Sequence, residues 1–419
     1  MKEPHSPQII PLNTNMLYRE IREEFHHILD FWKRFSPDEE YGGFAGKMDR
    51  QNRYTADAPK GSVLHSRILW TFSAAYTVTG DPGDLCMASR AFEYIHDHFL
   101  DPLYGGLFWS VDAAGSPLET HKQIYAQSFG LYGMSEYYRA SGNSRALDLA
   151  IAVYRLIERY SHDPLHRGYI DAFARNWSYL EDKRLSVKDD NAAKTMNTHL
   201  HVIEAYANLY EIWPDPMLLL NIRELLAIFQ EKILDKSSYH LHLFFDEKWK
   251  PKQGHISYGH DIEAGWLLQS CATATGDEIW TDLTKANALR ITDAAMEGLD
   301  ADGGLWYEMD RGKNQLIKEK HWWPQAEALI GLCNAWELSG NLRYRNALLK
   351  NWQFIKEYII DHEKGEWYWG VDQHHNIMEG QDKMGMWKCP YHNARACIQL
   401  LKRLKSVPDS FPGGSGDAV

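Results

Sequence analysis

The chain has 419 residues, 44% of them apolar and 24% charged, values close to those of ordinary soluble proteins, so a sizeable core is available and disorder is expected only at the termini. A formal charge of −12 without any run of clustered Lys and Arg argues against a nucleic-acid partner, because phosphate binding needs such clusters. No stretch approaches the roughly 18 uninterrupted apolar residues of a membrane span, so no membrane association is expected.

The opening MKEPHSPQII lacks the basic-then-apolar layout of a signal peptide, which makes the cytoplasm the expected compartment. The first helix is predicted from Leu17, Ile21, Phe25, Ile28, Leu29 and Trp32, which recur at helical spacing. A turn phrase, YGGFAG at Tyr41, follows it, and Leu64, Ile68, Phe72, Ala75 and Tyr76 resume the helical period. The phrase then returns as YGGLFW at Tyr104, RGYIDAF at Arg167, DGGLWYEM at Asp302 and KGEWYWGVD at Lys364.

Gly42 to Gly105 and Gly105 to Gly168 are each 63 residues, and Gly303 to Gly365 is 62. The 135 residues from Gly168 to Gly303 leave room for one hidden member, YHLHLFFDEKW from Tyr239, which keeps the aromatics and loses the glycine. Six units follow, and each interval reads as two helices of roughly 15 to 20 residues joined by a short β-hairpin at the phrase. The fold class is therefore all-α, with about twelve helices whose two-helix units stack because none buries its apolar face alone. Such units form an open superhelix or close into an (α/α)6 barrel with six inner helices, six outer helices and a central pocket. One catalytic domain is expected over residues 1–405, and the Pro-, Gly- and Ser-rich segment 406–419 reads as a flexible tail.

The helix after each phrase carries polar or aromatic residues near its start: Arg67, then Tyr125, then Asn197, His199 and His201, then His260 and Glu263, then Trp322 and Trp323, then Trp387 and His392. In a closed ring these starts surround one cavity. Because a helix turns about 100° per residue, His199 and His201 point apart; His201 shares a face with Asn197 and is assigned to the site, His199 to packing. His260 and Glu263 stand at i and i+3, so the carboxylate is expected to hold one ring nitrogen and fix the tautomer of the other. Pro390 in the first turn places His392 near a helix start, which disfavours imidazolium and favours a neutral base. Arg67 reads equally well as half of a buried ion pair.

Three His and a Glu suit zinc or manganese, yet none of these helices carries an HxxxH pair. No Ser or Cys stands in a GxSxG elbow, and the five cysteines, Cys86, Cys271, Cys333, Cys389 and Cys397, show neither CxxC spacing nor a disulfide framework. Inverting glycoside hydrolysis stays open, since Glu263, Asp189 and Glu327 offer the two carboxylates, about 6.5 to 9.5 Å apart, that it requires. The 16 Trp and 23 Tyr serve either as stacking surfaces for sugar rings or as extra core.

RILWTFSAAY, YAQSF, MNTHLHVIEAYANLY, GHDIEAGWLL, HWWPQAEAL and WKCPYHNARAC, in this order from about Met16 to Lys405, resemble the N-acylglucosamine 2-epimerase superfamily, above all its cellobiose 2-epimerase branch. The resemblance implies the (α/α)6 barrel. It implies His260 and His392 as catalytic acid and base, His201 assisting at the sugar oxygens, and Arg67, Tyr125, Asn197, Asp189, Trp323 and Trp387 as sugar contacts, with Glu263 beside them. It implies no metal and no cofactor. The His392–Asn393 pair and Asp261 favour the cellobiose branch, while Cys389 stands where relatives are expected to carry glycine. The expected substrate is cellobiose, lactose or a similar disaccharide, epimerised at C2 through an enediolate by a monomer or weak homo-oligomer. The alternatives are an epimerase or isomerase of mannose, glucose or N-acylglucosamine, an inverting glycosidase, and a non-catalytic helical binding protein.

Overall fold

A computed structural model describes residues 14–252 and 254–405; the opening segment and the tail from Ser406 lie outside the described residues. Local sequence sets where each helix stops and the next begins. Gly80, Gly142, Gly276 and Gly340 take left-handed φ values of 66°, 71°, 68° and 64°, a conformation that ends a helix at no steric cost. The residue after each, Asp81, Asn143, Asp277 or Asn341, accepts a backbone N–H two residues on at 2.9, 3.1, 3.1 and 3.0 Å, which caps the following helix.

Twelve α-helices result among the described residues. Six form an outer layer: α1 Thr14–Phe35, α3 Pro82–Tyr94, α5 Ser144–Tyr160, α7 Pro216–Ile228, α9 Glu278–Ala295 and α11 Leu342–Phe354. The inner six are α2 Ser62–Thr79, α4 Ile124–Ser141, α6 Met196–Tyr210, α8 Tyr258–Ala274, α10 Trp322–Ser339 and α12 Tyr391–Leu404. Sequence sorts the two layers. In α2 every residue from Ser62 to Ala75 is buried, as a helix surrounded on all sides requires, whereas α1 buries one stripe, Leu17, Ile21, Glu24, Phe25, Ile28, Leu29, Phe31 and Trp32, and leaves its other face partly or fully exposed. Each inner helix packs on the next, and α12 returns to α2 while α1 packs on α12. The ring is thus closed by pairing the first helix with the last, giving the (α/α)6 barrel and not an open superhelix.

The hairpins gather at the end of the barrel where the inner helices start. Asp38, Asp101, Asp163, Asp235 and Asp361 open five of them, their N–H groups bonding to Gly43, Gly106, Gly168, His240 and Glu366 carbonyls. In the hidden fourth unit Tyr239 adopts φ 60°, matching Arg167 at 67° and Gly105 at 71°. The turn is therefore kept without glycine, and Gly105 corresponds to Arg167, one residue earlier than the glycine count suggested. Buried lysines two residues before an inner helix tie four hairpins down: Lys60 to Asp38 (2.7 Å), Lys122 to Asp101 (3.1 Å), Lys194 to Asp163 (2.8 Å) and Lys320 to Asp300 (2.7 Å).

The fourth residue of five inner helices reaches the same hairpins. His65, Gln127, His199, Asp261 and Gln325 accept the N–H groups of Phe44, Leu107, Tyr169, Leu241 and Leu305. His199 is thereby a packing residue, as its helical angle predicted, and Asp261 is a hairpin anchor. Among the described residues no helix is long and apolar enough to cross a membrane.

Gly265, inside α8, borders a cavity of about 20 Å³ between α7, α8 and α9. A Cβ there would meet nothing closer than 3.5 Å. Gly265→Ala is expected to stabilise the fold by about 0.5–1 kcal/mol, the helix-interior penalty of glycine, measured by urea unfolding; a loss of stability would mean that α9 is packed more tightly against it than this spacing indicates.

Candidate active site

Along each inner helix the second, sixth and ninth residues share a face, because i, i+4 and i+7 align on a 3.6-residue period. That face reads Val63, Arg67 and Trp70 on α2; Tyr125, Phe129 and Tyr132 on α4; Asn197, His201 and Glu204 on α6; Gly259, Glu263 and Trp266 on α8; and Trp323, Glu327 and Ile330 on α10. Helix α12 has His392 as its second residue and directs Arg395 the same way, to Glu204, Glu263 and Glu327. Ring closure brings these faces into contact. Arg67 donates to Tyr125 Oη at 2.6 Å and to the Trp387 carbonyl at 3.3 Å, and lies over the Phe129 ring at 4.2 Å. His201 meets the Tyr125 ring edge-on at 5.1 Å, and its Nδ1 is 2.8 Å from Glu204 Oε2.

His392 Nδ1 is 2.7 Å from Glu327 Oε1, whose other oxygen accepts Trp266 Nε1–H at 3.1 Å. The Trp323 ring neighbours both remaining imidazoles, 4.7 Å from His260 and 5.7 Å from His392 between ring centres. Gly259 makes that possible: a Cβ there would stand 2.6 Å from Trp323 Cη2. Trp387 closes the opposite side, 5.8 Å from Trp109 and 6.1 Å from Tyr125. Arg67, Tyr125, His201 and Trp387 thus form one contacting group and His260, Trp323 and His392 another, with the His201 charge acting on His260 and the Arg67 charge on His392; Asn197 joins them through the α6 face that it shares with His201. Asn197 is half-buried, and its Oδ1 has no partner. Cys389 is buried beside Arg67, and α12 still begins at Tyr391.

One expectation needs correction. Glu263 does not hold His260: its Oε1 accepts Arg395 Nη2, while His260 Nδ1 turns back to Ser257 Oγ at 2.8 Å. A guanidinium buried at the axis attracts a carboxylate more strongly than a neutral ring N–H does, so Glu263 answers to α12. The i, i+3 His–carboxylate pair exists one helix earlier, between His201 and Glu204. Asp189 lies on the loop before β-paired Lys194, where its carboxylate accepts Ser186 N–H at 2.9 Å and, after burial, its charge helps to raise Glu308. A cleft of about 510 Å³ opens beside this loop, lined by Lys188, Asp190, His240, His255, Asp310 and Arg311, and none of the groups on the inner-helix faces lines it.

Burial dominates the electrostatics. It pushes His260 down to about 3, with the His201 charge adding, and it lowers His392, with Arg67 and Arg395 adding. Both rings are neutral bases near pH 7. Burial raises Glu263 to about 7, the Glu327 charge adding and Arg395 opposing; it raises Glu327 against the pull of Arg395. For Glu204 burial acts upward but Arg395 and His201 prevail, holding it near 2.

The two buried arginines differ in kind. Arg395 is paired with three carboxylates, those of Glu204, Glu263 and Glu327, although its Nε, like that of Arg67, has no partner among the described residues. Arg67 is only 3% exposed, yet no carboxylate among the described residues reaches it, and its Nε has no partner. The ion-pair reading of Arg67 therefore fails, and the site holds a buried cation with no carboxylate in contact, the Glu263 charge acting on it only from a distance. Glu263, Glu327 and His392 each offer a ligand atom within 4.8 Å of one another; a metal ion there would have to displace the guanidinium already bonded to both carboxylates.

Sequence reasoning passed over Glu204, Arg395 and Ser257 as site members. The i, i+4, i+7 face names Glu204, and a lone Arg within the otherwise apolar run after Asn393 marks Arg395 as buried and paired. Nothing in the sequence singles out Ser257.

The N-acylglucosamine 2-epimerase (GlcNAc 2-epimerase) family pattern matches residues 42–396. A cellobiose 2-epimerase from Bacteroides fragilis is 43% identical over 92% of this chain and 99% of its own length. The solved cellobiose 2-epimerase of Bacillus thermoamylovorans superposes with a TM-score of 0.88 at 39% identity, covering 93% of this chain and 100% of that one. A D-mannose isomerase structure superposes with a TM-score of 0.81 at 21% identity over 92% of this chain and 97% of its own, a likeness of fold.

Proposed function

Because the chain belongs to the N-acylglucosamine 2-epimerase family, we infer that it is an isomerase that inverts C2 of the reducing-end glucose of cellobiose and related β-1,4-disaccharides, giving the mannose-ended epimer. The relatives similar over nearly their whole length support this activity, and the unpaired Arg67 is the observation that carries the mechanism.

The C2 hydrogen is acidic only when C1 is a free carbonyl, so the reducing-end ring must open first, with His201 moving protons at the ring oxygen and O1. One imidazole then takes the C2 proton; the C2–H electron pair becomes the enediolate double bond, and the carbonyl π pair moves onto O1. The charge that develops is what Arg67 lacks, and Tyr125 and Asn197 add donors around it, in the manner of an oxyanion hole. Rotation about C2–C3 presents the other face to the second imidazole, which returns a proton to C2. Trp323 and Trp387 hold the sugar faces, and Asp189 contacts the far sugar at the rim.

His260, with a hydroxyl at Nδ1 and a depressed pKa, suits the base. Burial raises Glu327 and lowers His392, and with Glu327 Oε1 at its Nδ1 His392 suits the acid: when the pair holds a proton, Nε2–H donates to C2 as Nδ1 takes the proton shared with Glu327. The reverse reaction exchanges the roles. Glu263 supports the site through Arg395.

We propose that the reaction needs no metal: Arg67 supplies the positive charge at the oxyanion, and Arg395 occupies the carboxylates best placed to hold an ion. Inverting hydrolysis fits poorly, because Glu263 and Glu327 oxygens approach within 4.8 Å, closer than the about 6.5–9.5 Å that leaves room for water. Five free thiols suit a reducing compartment, and we assign the enzyme to the cytoplasm.

The test is to incubate chelator-dialysed protein with cellobiose and separate the products. The mannose-ended disaccharide is expected. A ketose-ended product would redirect the reading to an isomerase and free glucose to a glycosidase, while activity that returns only with a divalent ion would contradict metal independence.

A further inference from the structure

We propose that Ser257 is a positioning residue of the reaction: its hydroxyl holds Nδ1 of His260 and so presents Nε2 to the sugar. The proposal rests on His260 exchanging the C2 proton. Ser257 is the last residue before α8, the place where a serine ordinarily accepts an N–H from the first helical turn. It makes no such cap bond. Thr195, at the same position before α6, does cap, taking Thr198 N–H at 3.2 Å. The Ser257 side chain is buried, 1% exposed, and spends its hydroxyl on His260 Nδ1 at 2.8 Å instead.

Its backbone is fixed by antiparallel pairing with the next unit, Ser257 standing opposite Glu308. The hydroxyl is therefore a rigid arm and not a surface rotor.

The other two imidazoles of the site have carboxylates at this nitrogen, Glu327 for His392 and Glu204 for His201. Around His260 stand Trp323 from α10, and the charges of His201 from α6 and His392 from α12 act on or with it; Glu263 on its own helix is taken by Arg395. Among the described residues no free anion remains to orient the ring, which leaves the choice of exposed nitrogen to Ser257. A hydroxyl can accept from Nδ1–H in both the neutral base and the imidazolium, so it keeps Nε2 toward the sugar through the whole proton cycle without bringing a second buried charge.

The experiment compares Ser257→Ala and Ser257→Thr with the parent enzyme on cellobiose. Ser257→Ala is expected to lower kcat about 10- to 100-fold, part of what a well-placed acid–base group contributes, with KM within about two-fold. Its melting temperature should fall by no more than a few degrees, since one buried hydrogen bond goes but no helix cap is lost. The acid limb of the pH–kcat/KM profile should move to lower pH, because the imidazolium loses its acceptor. Ser257→Thr, which keeps the hydroxyl and places there the residue type found at the matching position before α6, should recover most of the rate. Wild-type kcat in Ser257→Ala, a rate loss that tracks a larger fall in melting temperature, or no recovery with Thr would each overturn the proposal. His260→Ala separates the two levels: turnover in that variant removes the parent reading, whereas an inactive His260→Ala beside a fully active Ser257→Ala removes only this one.

Discussion

His260→Ala and His392→Ala are each expected to lose epimerisation by at least about 10³-fold in kcat, within the range attributed to general acid–base catalysis, while both proteins remain folded. Folding should survive because little depends on either ring. Among the described residues His260 bonds to Ser257 alone, and removing His392 leaves Glu327 its bonds to Arg395 and Trp266. The two variants should also differ from each other. With one imidazole left, solvent deuterium can still enter C2 from one face, so one variant should label the glucose-ended sugar and the other the mannose-ended sugar, neither inverting it. Retained inversion in both variants would remove the two-imidazole scheme. NMR of recovered substrate in heavy water reads both results at once.

Arg395→Met is expected to destabilise the fold by about 3–5 kcal/mol, the cost of leaving buried charge uncompensated. Its guanidinium is fully buried and bonds Glu204, Glu263 and Glu327 from three neighbouring helices. The deficit should depend on pH, and the sign follows from proton counts. Glu263 has a folded value of about 7 against an ordinary 4.5, so between these values the folded state holds more protons than the unfolded, and stability falls as pH rises through this window. Glu204 is opposite: held near 2, it contributes stability above the ordinary 4.5, lost as pH falls toward 2. Without Arg395 that contribution goes and all three carboxyls shift upward, so the variant is worst at pH 7 to 8. Near pH 4.5 the carboxyls enter the folded state protonated and the deficit should shrink. Urea unfolding at both pH values measures this, and equal deficits would show that the lost arginine mattered for packing alone.

The repeat was legible because its physics is local. Turn glycines recur at 62 or 63 residues, and a hairpin must turn somewhere in every unit. Even the fourth, which replaces glycine by Tyr239, keeps the left-handed φ and the aromatic spacing. The assignment of His201 to the site and His199 to packing needed only the 100° step of a helix. The Gly–Asp and Gly–Asn pairs at Gly80, Gly142, Gly276 and Gly340 were equally readable as a helix stop followed by a helix start, and they give the unit boundaries more sharply than the hairpins do.

What the sequence hid depends on distance through space. Spacing on α8 pairs His260 with Glu263, and only the arrival of Arg395 from α12, 132 residues away, sends that carboxylate elsewhere. Ser257 looks like an ordinary helix cap until the ring of His260 is seen to take its hydroxyl. Asp189 sits on a loop whose path no periodicity constrains. Arg67 could be read as half of an ion pair because sequence cannot show that no anion arrives.

The most direct test of the account is epimerisation of cellobiose in heavy water. If two imidazoles on opposing faces remove and return the C2 proton, the mannose-ended product carries deuterium at C2. Product that forms at the normal rate with its original C2 hydrogen intact would contradict the proton-exchange mechanism.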